Sequence, residues 1–344
     1  MSSPPEISIL LPVFNGAKFL GPQIDSVLQH TRHTFELLAH DDASSDGSLQ
    51  LLQQIASRDA RIKVTGSHHN LGQKLTLLEL SRRASGDFIM FCDQDDIWHA
   101  DKIALLMDNI GAASGIFGLS CLIDAKGQPL GRTLHDHAGP PVAGRDCWSY
   151  LLGCNVPGHG MLVRRAVVHE GSFLGAPGAA GYDWAIAAVA TFSDGLAYEP
   201  RAITYHRQHA ENQMNRLSGQ RKKASSWPRV RSQRSRGILL HDLLSALRGA
   251  ITIPEAKRAV FAKLFAIVRH YLIVAPPAVV STAHFKAQCH DILAPLAMPP
   301  DARAALVESL ADCSLSALHP RQFGKDAWQT TRRLRKLVQR SGGR

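Results

Sequence analysis

The sequence predicts an α/β domain, a mostly parallel sheet flanked by helices, followed by a basic helical region. Three observations carry this. Strand and helix signals alternate through the first 110 residues, polar clusters recur just after each strand, and the charge balance changes sign near residue 215. Alternation of this kind is the pattern of parallel strands joined by crossover helices.

Residues 7–14 form a nearly unbroken apolar run that meets an Asn15-Gly16 turn, as suits a strand buried on both faces. Helical spacing follows within 17–30, at Phe19, Ile24, Val27 and Leu28. The pattern then repeats: a strand at 35–39 and a helix at 46–56, then a strand at 61–66 and a helix at 71–84 closed by a turn at Gly86. A fourth strand is expected at 88–92. Between 111 and 215 the signals loosen, with short strands near 115–121 and 158–164 and a helix at 183–192. Residues 220–236 are rich in Lys, Arg and Ser and are broken by Trp227 and Pro228, which reads as a linker or surface arm. Helical patterns return at 238–247, 256–272, 302–310 and 327–338. The expected division is a domain over 1–215, a basic linker over 216–237 and a helical region over 238–344.

Apolar residues make up 45% and charged residues 20% of the 344, which excludes a disordered chain and leaves room for a core domain plus an appendage. The net charge of +10 comes from beyond residue 215; before it, acidic side chains outnumber basic ones. The opening residues lack the charged start of a signal peptide, and the apolar run 271–283 is short and interrupted by Pro276 and Pro277. Neither an export signal nor a transmembrane helix is expected. Six cysteines without CxxC spacing suit reduced thiols in a cytoplasmic protein.

Polar groups fall at the carboxyl end of each early strand: Asn15, then Asp41 and Asp42, then Asn70, then Asp93. In open α/β sheets that edge is where ligands bind. The sharpest cluster is Cys92-Asp93-Gln94-Asp95-Asp96-Ile97-Trp98. Three carboxylates in four residues repel one another unless a cation or hydrogen-bond donors sit among them. Oxygen ligation without cysteine suits Mg2+ or Mn2+. An acidic helix cap using Asp96 or Asp101 is the other reading, and the apolar flanks favour the metal. In His40-Asp41-Asp42-Ala43-Ser44-Ser45-Asp46-Gly47-Ser48, Asp46 or Ser45 suits a helix cap, which leaves Asp41 and Asp42 for a base or ribose contact.

Taken together, Ile9-Leu10-Leu11-Pro12-Val13-Phe14-Asn15-Gly16, Asp41-Asp42-Ala43-Ser44-Ser45-Asp46-Gly47, Asn70-Leu71-Gly72 and Asp93-Gln94-Asp95-Asp96-Ile97-Trp98 resemble the family 2 inverting glycosyltransferases of GT-A fold. Order and spacing look closest to bacterial rhamnosyltransferases of surface-polysaccharide synthesis. Tyr182-Asp183-Trp184 is similar to that branch's His-Asp-Trp element, and Tyr205-His206-Arg207-Gln208-His209 to its Tyr-Arg-Gln-His element. The likeness covers about residues 6–215 and departs at Tyr182, which stands where His is usual, and at the extra His206. It implies nucleotide or nucleotide-sugar contacts from Pro12, Val13, Asn15, Asp42, Asn70 and Asp93, with Asp42 on the pyrimidine N3–H. It implies metal ligation by Asp95 and Asp93, with His209 as a third ligand or diphosphate contact. It makes Asp183 the general base. Trp184 beside it suits the acceptor side or the core, and His159, in a Gly-rich turn, suits the acceptor side or a turn that serves backbone geometry alone.

The implied reaction is inverting transfer from a nucleoside diphosphate sugar, dTDP-rhamnose by branch, to a saccharide or lipid-linked saccharide acceptor. An inverting transfer needs one base for the acceptor proton and a cation against the diphosphate leaving group. Asp183 also suits a plain helix N-cap. His206 and His209 lie three apart, yet no Cys or Glu completes a zinc set. A dehydrogenase is excluded, because the first turn lacks Gly-x-Gly-x-x-Gly. A nucleotidyltransferase is the nearest enzymatic rival but lacks a basic Gly-rich triphosphate loop. The third reading is a basic interaction protein with an inactive domain. Its aromatics Trp227, Tyr271 and Trp328 are too scattered to stack nucleic acid, so no nucleic acid partner is expected. Arg332, Arg333, Arg335, Lys336 and Arg340 suit an anionic membrane surface, peripheral on its inner face, or a plain solvated helix face.

Overall fold

The computed structural model describes residues 4–136, 142–151, 153–169, 181–209, 233–270, 281–296 and 298–315. They fall into two compact units. The first draws on Met1–Pro141, Asn155–His169 and Leu196–Pro228, and the second on Val142–Cys154, Glu170–Gly195 and Arg229–Arg344.

In the first unit, β1 (Ile7–Val13), α1 (Ala17–Leu28), β2 (Phe35–Asp41), α2 (Ser48–Ala56), β3 (Ile62–Gly66), α3 (Gln73–Arg83) and β4 (Phe88–Phe91) follow the expected alternation. The short β5 (Ile97–Trp98), α4 (Lys102–Asn109), β6 (Gly115–Ile123), β7 (Pro129–Thr133), β8 (Met161–Arg164), α5 (Arg165–His169) and β9 (Leu196–Arg207) complete it. The sheet runs β3-β2-β1-β4-β8-β6-β9-β5, with β7 on β6. β1 to β4 pair in parallel, whereas β8 enters antiparallel to both β4 and β6. The sheet is therefore mixed, parallel only through its first four strands and again where β9 joins β6.

β1 lies at the centre of the parallel half. Ile7, Ile9, Leu10 and Leu11 are wholly buried, as a strand covered by helices on both faces requires. α1 buries Phe19, Leu20, Ile24 and Val27 against that core. Each such side chain contributes about 1.5–3 kcal/mol relative to exposure. Gly86, in the turn before β4, is a close approach: a Cβ there would lie 2.7 Å from Ile7 C and Ser8 N, both backbone atoms. Its amide donates to Ser8 Oγ at 2.9 Å. β2 carries Glu36 into the interior, where Lys63 Nζ (2.6 Å), Ser8 Oγ (2.6 Å) and Ser85 Oγ (2.7 Å) all bond to its carboxylate.

The second unit is helical. It contains a 3-10 turn at Trp148–Leu151, α6 (Tyr182–Phe192), α7 (Gln233–Gly249), α8 (Glu255–Arg269), α9 (Thr282–Leu293) and α10 (Pro300–Leu315). From Ala185 to Phe192 every residue of α6 is buried, so this part of the helix has no solvent-facing side. Trp148 packs on Phe192 and Phe261, with ring centroids 4.8 and 5.8 Å away. α7 begins at Gln233, inside the stretch expected to be linker. Linker residues 216–232, the expected helix 327–338 and the basic side chains Arg332 to Arg340 lie outside the described residues. Among the described residues no helix is long and apolar enough to cross a membrane.

Candidate active site

Four loops meet at the carboxyl edge of the parallel strands, and they are pinned to one another through backbone amides. The Asp42 amide donates to Val13 O at 2.7 Å, Ser67 N to Asp41 O at 3.0 Å, and Cys92 N to Leu10 O at 2.9 Å. After β1 the chain turns through Asn15, a left-handed residue at φ 50°, and after β2 through Ala43 at φ 61°. Alanine has no side-chain reason to adopt that conformation, so the strain at the β2 loop is imposed by its neighbours.

The first two loops are interlocked. Ser45 N donates to Asn15 Oδ1 at 2.8 Å, Gly16 N to Ser48 Oγ at 2.9 Å, and Ala17 N to Asp46 Oδ2 at 2.9 Å. Asp46 Oδ1 meanwhile accepts from Ser48 N at 3.1 Å, so this carboxylate serves the first turn of α2 and the β1 loop together. Asp42 is buried and organises the third loop: Leu71 N (2.7 Å) and Ser67 Oγ (3.2 Å) donate to its Oδ1, and Gly72 N (2.8 Å) to its Oδ2. Asn70 Nδ2 reaches Asp42 O at 3.3 Å. Pro12 and Val13 close β1 beneath these loops.

The acidic loop after β4 divides into three environments. Asp93 Oδ2 faces His159 Nδ1 at 3.1 Å, and its Oδ1 lies 3.5 Å from Gln73 Nε2. Asp95 Oδ2 lies 2.7 Å from His209 Nε2, and its main-chain oxygen accepts from Arg207 Nε at 2.8 Å. Asp96 turns fully inward, where its Oδ1 accepts from His206 Nδ1 (2.9 Å) and from Arg207 N (3.0 Å). The His159 and His206 rings stack at 4.6 Å. His159 is itself fixed on every side. Its Nε2 meets Ser120 Oγ at 3.0 Å, and its carbonyl accepts from Lys102 Nζ at 2.7 Å. Lys102, wholly buried, also donates to Thr204 Oγ1 at 2.9 Å and lies 3.8 Å above the Trp98 ring. Carboxylates only accept, so the Nδ1 atoms of His159 and His206 carry protons.

These contacts set the charges. Burial would raise Asp96, but the charges of His206 and His159 and the bonds from His206 and the Arg207 amide hold it well below the usual carboxylate range. Burial likewise opposes an imidazolium at His206, yet the Asp96 charge and hydrogen bond outweigh it and raise the ring to about 9. Asp95 goes the other way. Burial, with the charges of Asp96 and Asp93, pushes its carboxyl up to about 6 against the His209 hydrogen bond. Asp95 is thus short of positive charge while Asp96 is not.

One ligand atom each from Asp93, Asp96, His159 and His206 lies within 4.8 Å of the others, so this Asp/His group could hold a metal. The expected ligands Asp95 and His209 are not in that group, and exposure divides the acidic loop differently: the Asp93 and Asp95 side chains are 26% and 16% exposed, whereas Asp96 is 0%. Only the first two open toward an incoming ligand. His159, expected on the acceptor side, is buried behind Asp93 and supports that carboxylate. His206, which looked like an insertion, is the partner of Asp96. The apolar residues after Asp96 carried the signal of that burial. Nothing in the spacing linked it to a histidine 110 positions on.

Asp183 and Trp184 belong to the second unit, in the first turn of α6. Asp183 Oδ1 accepts from the Trp184 amide at 2.8 Å, and the Trp184 indole N–H donates to Tyr150 O.

Residues 8–171 match the model for glycosyl transferase family 2. The chain is 29% identical over 133 residues to TuaG of Bacillus subtilis, whose glycosyltransferase role in teichuronic acid biosynthesis is itself a proposal; the match covers 38% of this chain and 53% of TuaG. It is 35% identical over 99 residues to the Escherichia coli UDP-Glc:alpha-D-GlcNAc-diphosphoundecaprenol beta-1,3-glucosyltransferase WfgD, covering 29% of this chain and 38% of WfgD. A Campylobacter jejuni GalNAc(5)-diNAcBac-PP-undecaprenol beta-1,3-glucosyltransferase is 31% identical over 127 residues, covering 36% and 40%. The chain thus spans about half or less of these relatives' length. Residues 1–349 of TarS from S. aureus, solved with UDP-GlcNAc, superpose with a TM-score of 0.54 at 14% identity, covering 92% of this chain and 90% of that one. That likeness shows the fold, which is of the GT-A type.

Proposed function

We propose that this chain, whose residues 8–171 carry a glycosyl transferase family 2 domain, transfers a sugar with inversion from a nucleoside diphosphate to an acceptor hydroxyl in polysaccharide synthesis. The observation that carries the reading is the position of Asp93 and Asp95: two partly open carboxylates at the carboxyl edge of the parallel strands, with His209 against Asp95. The deficit of positive charge at Asp95 fits a divalent cation, Mg2+ or Mn2+, held by Asp95 and Asp93 with His209 beside them. When bound, such an ion supplies charge against the departing diphosphate.

The protein's own groups account for the rest. Asp42, Asn70 and Asn15 shape the loops around the nucleotide, and the remaining acceptor positions on Asp42 take a base N–H. Pro12 and Val13 contribute the wall at the end of β1. His159 and Ser120 keep Asp93 oriented. Asp183 takes the acceptor proton, and Trp184 lines the acceptor side. The motif order favours dTDP-rhamnose as donor, and UDP-glucose is the competing donor suggested by the relatives' names. A lipid-linked saccharide acceptor follows from the same names, and the basic residues 332–340 give it an anionic membrane surface nearby.

The test is transfer itself. Purified protein with Mn2+ and an undecaprenyl-diphosphate-linked saccharide is offered dTDP-rhamnose and UDP-glucose in turn, and the product's anomeric configuration is read by NMR. Asp183→Asn should lower kcat by at least about 10³-fold with little change in donor KM. A variant with near wild-type kcat removes Asp183 from the base role, and a retained configuration removes inversion.

A further inference from the structure

Gln94 is the uncharged member of the acidic loop, and its side chain does not point at the carboxylates. It faces the loop after β1. Its Oε1 accepts from Phe14 N at 2.8 Å and its Nε2 donates to Phe14 O at 3.1 Å, a two-point latch of the kind one strand makes on another. The fit is tight: a Cβ at Gly16 would lie 2.5 Å from Gln94 Oε1 and 2.6 Å from its Cδ. From the opposite side, Ser44, Ser48 and Asp46 hold the amides of Asn15, Gly16 and Ala17 at 2.9 Å each. Residues 14–17 are therefore clamped between the acidic loop and the β2 loop.

Phe14 is 40% exposed and both latch bonds lie in an exposed part of the loop. The latch does not rescue a buried polar group, and that removes the usual structural reason for such a contact. What it does achieve is alignment. Asp93 and Asp95 flank Gln94 in the sequence, so the latch ties the loop that carries both carboxylates to the loop after β1.

We infer that Gln94 is a positioning residue that couples the two loops, so that a divalent cation on the acidic loop and a nucleotide on the β1 loop each tighten the binding of the other. The inference rests on the nucleotide-sugar reading above. Coupling of this kind is reciprocal: a ligand that holds either loop in place holds the latch, and through it the other loop, for the second ligand.

A nucleoside is the right probe, because it carries base and ribose but no diphosphate to touch the cation directly. Kd values for uridine and thymidine are measured by ligand-observed NMR on the full chain, with and without saturating Mg2+, for wild type, Gln94→Ala, Gly16→Ala and the double variant. Circular dichroism and binding of UDP with Mg2+ certify each variant as folded and loaded. Wild type should bind a nucleoside at least about fivefold more tightly with Mg2+, and each single variant should reduce that ratio to within about twofold of unity. The double variant should lose nothing more, since both substitutions open the same latch. A wild-type ratio preserved in Gln94→Ala and Gly16→Ala overturns the inference. So does a wild type that binds UDP with Mg2+ yet shows no Mg2+ effect on nucleosides, and that result leaves the functional reading standing. Failure of wild type to bind any nucleotide or nucleoside overturns both.

Discussion

His209 Nε2 lies 2.7 Å from Asp95 Oδ2, joining a residue just past β9 to one just past β4. The two histidines are similarly shielded, but Asp95 is 16% exposed while Asp96, the partner of His206, is fully buried. Replacing His209 with Ala should lower Mn2+ affinity by about 10–100-fold, read by calorimetry, with the fold retained. An unchanged affinity would take His209 out of the cation's surroundings.

The same division predicts opposite outcomes for adjacent carboxylates. Asp96→Ala strips His206 and the Arg207 amide of the buried carboxylate they bond and should destabilise the protein by about 3–5 kcal/mol in urea unfolding. Asp95→Asn removes a carboxylate crowded by two others and, without cation, should change stability by less than about 1 kcal/mol. Equal losses at the two positions would refute the assignment of Asp96 to structure and Asp95 to ligand.

Glu36 gives the pH dependence. Burial alone would raise its carboxyl, but the bonds from Lys63, Ser8 and Ser85 outweigh burial and bring it down from 4.5 to about 2. A group depressed in the folded state contributes fully above its unfolded value of 4.5, and that contribution is lost as pH falls through about 2. Chemical denaturation from pH 6 to 2 should therefore show a loss of stability that is smaller in Glu36→Gln. Parallel curves for the two proteins would contradict this.

Two glycines test the packing of β1 and α1. Gly86→Ala drives a Cβ into the backbone of Ile7 and Ser8 and should cost about 1–3 kcal/mol. Gly21, inside α1, has open space where its Cβ would go, and Gly21→Ala should stabilise by about 0.5–1 kcal/mol. Thermal unfolding of both variants distinguishes them by sign.

Much of the first unit was legible because its strands are apolar runs separated by periodic helices: β1 to β4 and α1 to α3 follow local signals. β5, β7 and β9 were not legible. β9 mixes Tyr198, Glu199, Arg201 and His206 with apolar residues, because it serves a mixed half of the sheet where one strand faces several environments. α9 escaped for a related reason, as only Phe285, Cys289 and Leu293 are buried on it. At the site, the acidic loop announced itself by charge crowding. The roles within it did not, because Asp96, His159 and His206 are brought together by β6, β8 and β9 pairing and by no nearby spacing. Lys102 likewise reads as an ordinary helix lysine until Thr204 and His159 are folded onto it.

The central claim is that Asp93 and Asp95 hold a cation for a nucleotide-bound sugar. Its most direct test is a thermal-shift titration of wild type and Asp95→Asn with UDP, dTDP, UDP-glucose and dTDP-rhamnose, each with and without Mn2+. A ligand that binds only the native state raises its melting temperature. Wild type should be stabilised by at least one of these nucleotides in a Mn2+-dependent manner, and Asp95→Asn should lose most of that shift. A wild type that none of them stabilises, or an Asp95→Asn that responds as wild type does, would contradict the account.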